Sequence, residues 1–198
     1  MTYSIIGSGN IGSAVARQFA RKGIDVAIAN TRGVGSLASL VKELGRHIIP
    51  QTLEAALKAE IVILAAPFTA VAGIARAGND WKGKIVIDAT NAIDFPAFKP
   101  TDLGRRPSSE VVAENLRGAR LVKAFNTLPA AVLAADPTEH GGHRVLFVSG
   151  NDAEANSKVA ALVEILGFAA ITLGKLAEGG LLQQFGGPLT LQNLVKLG

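Results

Sequence analysis

Cysteine is absent from the 198 residues, which excludes disulfides, thiolate catalysis and cysteine-ligated metal, and suits a reducing compartment. Aromatic residues are scarce, at 5%, while 48% of the chain is hydrophobic. The core must therefore come from Ala, Val, Ile and Leu, the composition of a parallel sheet covered by helices on both faces. No apolar run reaches the roughly 20 residues that cross a bilayer. Met1-Thr2-Tyr3 has no basic stretch, apolar run and cleavage site of the kind that opens a secretory leader. The expectation is a cytoplasmic protein with no membrane partner. Lys/Arg clusters are missing too, and the net charge of +4 is scattered, so nucleic acid is not an expected partner. A mild positive balance does suit an anionic cofactor. There is no internal repeat and no low-complexity tract.

What is present is concentrated at the start. Tyr3-Ser4-Ile5-Ile6 is a short apolar strand that runs into Gly7-Ser8-Gly9-Asn10-Ile11-Gly12, with a helix opening straight out of the turn. In this Gly-x-Gly-x-x-Gly arrangement Gly7 allows the turn, Gly9 lets backbone approach a pyrophosphate, and Gly12 lets helix pack on strand. The free amides of the helix N-terminus then point at the phosphates. A glycine-rich turn with no ligand would show the same letters. Context favours the dinucleotide, because a second strand, Val26-Ala27-Ile28-Ala29, arrives on schedule.

The end of that second strand selects the dinucleotide. A carboxylate there would bond a ribose 2′-hydroxyl and repel a 2′-phosphate. The chain instead carries Asn30-Thr31-Arg32-Gly33, where a hydroxyl and a guanidinium suit a 2′-phosphate. NADP is expected over NAD.

The rest alternates strand and helix. Helices are expected over Ile11–Lys22, Ser36–Leu44, Thr52–Leu57, Ala70–Ala77 and Ser109–Leu116, the last with Ser108 as its N-cap. Strands are expected at Asp25–Ala29, Ile48–Ile49, Ile61–Ala66 and Arg120–Phe125, and Ile85–Asn91 is expected as a strand and its exit. Pro96, Pro100 and Pro107 make Asp94–Pro107 a loop or flap. Beyond it come the strand Arg144–Val148, a helix Ala153–Leu166 capped by Asp152, the strand Ala169–Leu173, and a tail Leu176–Leu197 expected as a broken helix. The pattern gives a Rossmann-type, doubly wound, mostly parallel α/β sheet with helices on both faces. It forms a single domain, with residues 1–135 as the dinucleotide-binding core and 136–198 as a small C-terminal extension.

In Ile6–Gly12, Asn30–Gly33, Ala66-Pro67-Phe68, Val122–Thr127 and Ser149-Gly150-Asn151-Asp152, the chain resembles the NADP oxidoreductase family of the deazaflavin (coenzyme F-420)-dependent NADP reductases. It is also similar to the NADPH domain of the STEAP metalloreductases. The resemblance implies a homodimer with Ser8, Gly9, Asn10 and Ile11 on the pyrophosphate and Thr31 and Arg32 on the 2′-phosphate. Pro67 and Ala124, with their neighbours Ala66, Phe68 and Phe125, would flank the ribose and nicotinamide. A second cofactor would lie in the cleft against the C-terminal segment. Ala124-Phe125-Asn126-Thr127 is closer to the metalloreductase version than to the leucine–histidine pair of the deazaflavin enzymes. The small-molecule redox acceptor therefore stays open between deazaflavin, FMN or FAD, and another compound.

Hydride transfer between two cofactor rings needs positioning and exclusion of water rather than an acid or base, so no catalytic side chain is assigned. Asn91, Asn126 and Thr127 stand at strand ends, where such sheets face their ligand, and would position the nicotinamide amide or the acceptor. Phe68 and Phe125 suit core and ring wall equally. His140 and His143 read as polar loop, and no metal site is assigned. Asp88, at the end of a buried strand, reads as a cap for a nearby loop or helix. An NADPH-binding sensor without turnover is the alternative function. A dehydrogenase or imine reductase fits less well, since the chain lacks a large helical second domain and an evident Lys or Tyr donor. Arg32→Ala should weaken NADPH binding far more than NADH binding by titration calorimetry; equal losses would remove Arg32 from the 2′-phosphate.

Overall fold

In the computed structural model every residue is described except Asn79 and Arg105. The expected Asp94–Pro107 segment includes Arg105, which therefore lies outside the described residues. The chain runs β1 (Tyr3–Ile6), α1 (Asn10–Arg21), β2 (Val26–Ala29), α2 (Ala38–Leu44), β3 (Ile48–Pro50), α3 (Leu53–Ala56), β4 (Ile61–Leu64), α4 (Val71–Ala77) and β5 (Ile85–Asp88). A small antiparallel ribbon, β6 (Ile93–Asp94) with β7 (Lys99–Pro100), leads to α5 (Ser108–Asn115) and β8 (Arg120–Lys123). Then come α6 (Ala130–Ala134), β9 (Thr138–Glu139), β10 (Gly142–Gly150), α7 (Ala153–Ile165), β11 (Ala169–Thr172), α8 (Leu181–Gln183) and β12 (Val195–Leu197). Short 3₁₀ turns precede α2 and α4, and a π turn at Leu176–Gly180 precedes α8.

The main sheet has the order β11-β10-β8-β5-β4-β1-β2-β3. From β3 to β8 every pairing is parallel, and β10 turns antiparallel to β8 while remaining parallel to β11. β4 (Ile61-Val62-Ile63-Leu64) is buried at every position because helices cover both faces. One apolar layer joins Val15 and Phe19 of α1, Leu133 of α6 and Val159 and Leu162 of α7 to the sheet. The other joins Ala56 of α3, Val71 and Ile74 of α4, and Val112 and Leu116 at α5. Strand order reverses between β1 and β4, so the loops after these two strands diverge and leave a crevice at the carboxyl edge.

Three expectations are corrected. The end of the tail is not helical: Val195–Leu197 pairs antiparallel with Gly142–Arg144. The edge of β10 offered unpaired backbone groups, and that long-range pairing overrides the local pattern. Ser108 is not an N-cap. It is the first residue of α5, Pro107 takes the cap position, and the Ser108 amide donates to Gln184 Oε1 at 2.9 Å. The Asp94–Pro107 flap is not wholly loop, since the β6–β7 ribbon occupies it. Helix α6 was not foreseen; Pro129 supplies its start.

Asp152 does cap α7, accepting from the Ala155 amide at 2.9 Å, and it also receives Arg120 Nη2 at 2.7 Å. The Arg120 bond, followed by the bond from the Ala155 amide, lowers its pKa to about 2. A carboxylate depressed in the folded state stabilises above its unfolded pKa of about 3.9 and loses that stabilisation as pH falls toward about 2. Asp152→Asn, which keeps a capping side chain, should therefore flatten the fall in urea midpoint across this window; an acid limb unchanged from wild type would contradict the linkage.

Candidate functional site

The crevice is built by the carboxyl ends of β1, β4, β5 and β8. Gly7 follows β1 with a φ of 117°, a conformation other residues rarely adopt, and a side chain there would run into the Ala65 carbonyl after β4. A side chain on Gly12 would overlap the Gly7 carbonyl, so α1 reaches this turn only because both positions are glycine. Over Gly9 nothing lies within 4 Å. That open backbone, with the first amides of α1 uncapped by any side chain, is a surface for an anion. Asn10 is exposed beside it, and Ile11 turns partly into the core.

Asn30 ties this turn to the loop after β2. Its Nδ2 donates to Ser8 Oγ at 2.7 Å, and its Oδ1 accepts from the Arg32 amide at 2.9 Å. The Arg32 guanidinium also reaches Ser8 Oγ, at 3.2 Å, so its charge lies beside the glycine turn. Ser36, which sequence reasoning missed, bonds Asn30 Oδ1 at 3.1 Å and the Gly33 carbonyl at 2.7 Å. Its signal was a hydroxyl three residues past a loop glycine, where such a group closes a turn. A cavity of about 350 Å³ runs along this surface, lined among others by Ser8, Gly9, Thr31, Arg32, Ala66 and Pro67.

Pro67 also lines a larger cavity of about 830 Å³, walled by Phe68, Asn91, Phe95 and Val111. Phe68 is only partly buried, and Phe95 is 73% exposed. The C-terminal segment borders a smaller space of about 240 Å³ through Gln184 and Phe185. Phe125, by contrast, is 1% exposed inside the core, so its side chain is core rather than ring wall, and buried Ala124 precedes it. Phe125 has a φ of 63°, a left-handed backbone that costs a bulky residue about 1–3 kcal/mol unless its surroundings impose it.

Asn91 and Asn126 meet across the strand ends. Asn91 Nδ2 donates to the Asn126 carbonyl at 2.9 Å, and Asn126 Nδ2 donates to Asn91 Oδ1 at 3.1 Å and to the Gln183 carbonyl at 2.8 Å. Asn126 Oδ1 is buried with no partner in the protein. Thr127 is buried, and its carbonyl anchors the tail by accepting from the Leu191 amide at 2.8 Å.

Behind these turns lies a pair that sequence reasoning left undetected. Lys123 Nζ donates to Asp88 Oδ2 at 3.1 Å, and neither side chain has any exposed surface. Asp88 further accepts from Ser109 Oγ at 2.6 Å and from the Thr90 amide and hydroxyl at 3.0 and 2.7 Å. Burial opposes its ionisation, but the Lys123 charge with the Ser109 and Thr90 bonds outweighs this and holds its pKa below the ordinary value. His140 and His143 stay apart from the crevice elements; the His143 ring bonds the Gly167 carbonyl at 2.8 Å. Among the described residues no group of His, Asp or Glu could hold a metal ion, and no helix is long and apolar enough to cross a membrane.

Residues 2–92 match the model of the coenzyme F420-dependent NADP oxidoreductase family. They belong to that family. Two further similarities carry the oxidoreductase relationship past this segment. A protein of Arthrobacter sp. FB24 ascribed F420-dependent NADP reductase activity is 27% identical, with a TM-score of 0.77 over 89% of this chain and 86% of its own. Metalloreductase STEAP3 of Rattus norvegicus is 26% identical over 174 residues, which cover 88% of this chain. The chain spans only 34% of the length of that metalloreductase. The hypothetical protein SMa0349 of Sinorhizobium meliloti is 55% identical, with a TM-score of 0.96 over 99% of this chain and 96% of its own.

Gly9→Ala has a permitted backbone (φ −78°) and an empty neighbourhood, so it should leave stability within about 0.5 kcal/mol of wild type while weakening a bound pyrophosphate. Gly12→Ala should cost about 1–3 kcal/mol or more in stability, because the Gly7 carbonyl must move. Chemical denaturation beside NADPH titration separates the two; equal destabilisation would refute the division of roles.

Proposed function

We propose that the chain is an NADPH-dependent oxidoreductase passing a hydride between NADP(H) and a planar redox acceptor of the deazaflavin or flavin type. The observation that carries this is the meeting of two cavities at Pro67: one beside an open glycine turn and a cationic loop, the other partly aromatic and large enough for a ring system. The residues present fit NADP(H). The Gly9 backbone leaves room for the pyrophosphate, Thr31 and Arg32 flank the place of a 2′-phosphate, and no carboxylate stands at the end of β2. Asn126 Oδ1, buried and unpartnered, suits the N–H of a nicotinamide carboxamide.

NADPH, when bound, supplies the hydride. The protein then has to bind, orient and keep water out. Gly7–Ile11, Asn30, Thr31 and Arg32 would hold the nucleotide, while Ala66, Pro67 and the turn Ala124-Phe125-Asn126 would border the ribose and nicotinamide. Phe68 and Asn91 would border the acceptor, which we place in the larger cavity rather than against Gln184 and Phe185. Lys123, wholly buried and paired, is unsuited to donate a proton to a substrate, so an imine-reducing role gains no support from it. The similarities noted above favour the oxidoreductase over a sensor without turnover, and a homodimer in the cytoplasm accords with the family resemblance.

Stopped-flow mixing of the NADPH-loaded protein with coenzyme F420, FMN or FAD tests this directly. Loss of NADPH absorbance well above the protein-free rate with at least one acceptor is expected. Tight NADPH binding with no acceptor reduced faster than the control would leave the sensor.

A further inference from the structure

The two turns at the nicotinamide end share one buried support. Asp88 ends β5 and Lys123 ends β8, and they are register partners on adjacent parallel strands. At the carboxyl edge of such a sheet these positions ordinarily face the ligand. Here both side chains are spent inward, on backbone and side-chain groups of the surrounding turns. The Asp88 carboxylate accepts from the Thr90 amide and hydroxyl, and Lys123 Nζ donates to the Thr90 carbonyl at 3.2 Å, so Thr90 is held at all three of its polar groups. Asn91 follows directly. On the other strand the Ala124 amide donates to the Asp88 carbonyl at 3.2 Å, immediately before left-handed Phe125 and then Asn126. Ser109 Oγ adds the first turn of α5, the helix whose Val111 and Val112 line the larger cavity.

We propose that the Asp88–Lys123 ion pair is a positioning device, which fixes the turns carrying Asn91 and Asn126 and so sets the distance and angle between nicotinamide and acceptor. The proposal rests on the oxidoreductase function above. Stability gives little reason for such a pair, since replacing a buried ion pair by uncharged groups of similar volume is often neutral or stabilising. Geometry gives a stronger one. Left-handed Phe125 persists only where its surroundings over-determine it, and the anchored strand ends on either side do so. Neither Asp88 nor Lys123 is exposed to either cavity, so both act through Thr90, Asn91, Ser109 and the 124–126 turn rather than on substrate.

The test is the neutral double variant Asp88→Asn/Lys123→Met, with Thr90→Val as a milder second variant that keeps the ion pair and removes one bond to it. Three quantities are read: NADPH affinity, the single-turnover rate of hydride transfer to the acceptor that wild type reduces (coenzyme F420 or FMN), and amide hydrogen exchange across 89–91 and 124–127. In the double variant affinity should stay within about threefold, because neither Asp88 nor Lys123 bonds the glycine turn or Arg32, while the rate falls about 10- to 100-fold. Exchange in the two turns should rise with the β4 and β5 strands still protected. Thr90→Val should show the same pattern with about a threefold rate loss, and it decides the matter should the double variant not fold. A rate unchanged in the folded variants, or one falling only in step with affinity and melting temperature, overturns the proposal. Were wild type to bind no NADPH or reduce no acceptor, the proposed function would fail, and the exchange of the two turns would by itself decide whether the pair positions them.

Discussion

The approach of α1 to the turn after β1 is the contact on which the site depends. Helix and turn come within van der Waals distance because Gly12 presents no side chain to the Gly7 carbonyl, and Gly7 presents none to the Ala65 carbonyl. That closeness aims the uncapped amides of α1 over the sheet edge, where strand order reverses between β1 and β4. A larger residue at Gly12 would push the helix away from the turn, and one at Gly7 would push the turn away from the backbone after β4. The bonds from Asn30 and Arg32 to Ser8 then join the loop after β2 to the same turn, so the two segments are one bonded unit.

The opposite end of the crevice is organised on another principle. There the backbone is not permissive but constrained, with left-handed Phe125 between buried Ala124 and Asn126. Paired amides at Asn91 and Asn126, the Gln183 carbonyl and the Leu191–Thr127 bond draw the C-terminal tail over the turn. The ion pair beneath completes a polar network within an otherwise aliphatic layer. Such networks are stringent when satisfied, since each lost partner leaves a buried group without a bond. One acceptor in it, Asn126 Oδ1, is buried and has no protein partner.

Much of the local structure was legible beforehand. The glycine turn of 7–12 between β1 and α1 and the Asp152 cap of α7 are local patterns, and each formed as its spacing implied. The strand at Ile61–Leu64 announced itself as a run too apolar to alternate, which requires cover on both faces. Errors fell where distant segments decide. Val195–Leu197 carries the weak alternation of a strand but needed the edge of β10 to become one, and Ser108 lost its capping role once Pro107 took that position.

The sequence alone, then, determined the strand–helix alternation, the glycine turn and a loop after β2 without a carboxylate, because these depend on residues within a turn or two of one another. Only the tertiary structure decided that Phe125 is core and that Lys123, an ordinary strand lysine on paper, is a wholly buried partner of Asp88, 35 residues away in the chain. It alone decided that Asn91 and Asn126 face each other, since parallel strands in register bring their ends together across a whole intervening helix. Local spacing fixes conformation, but only packing fixes which side chains meet.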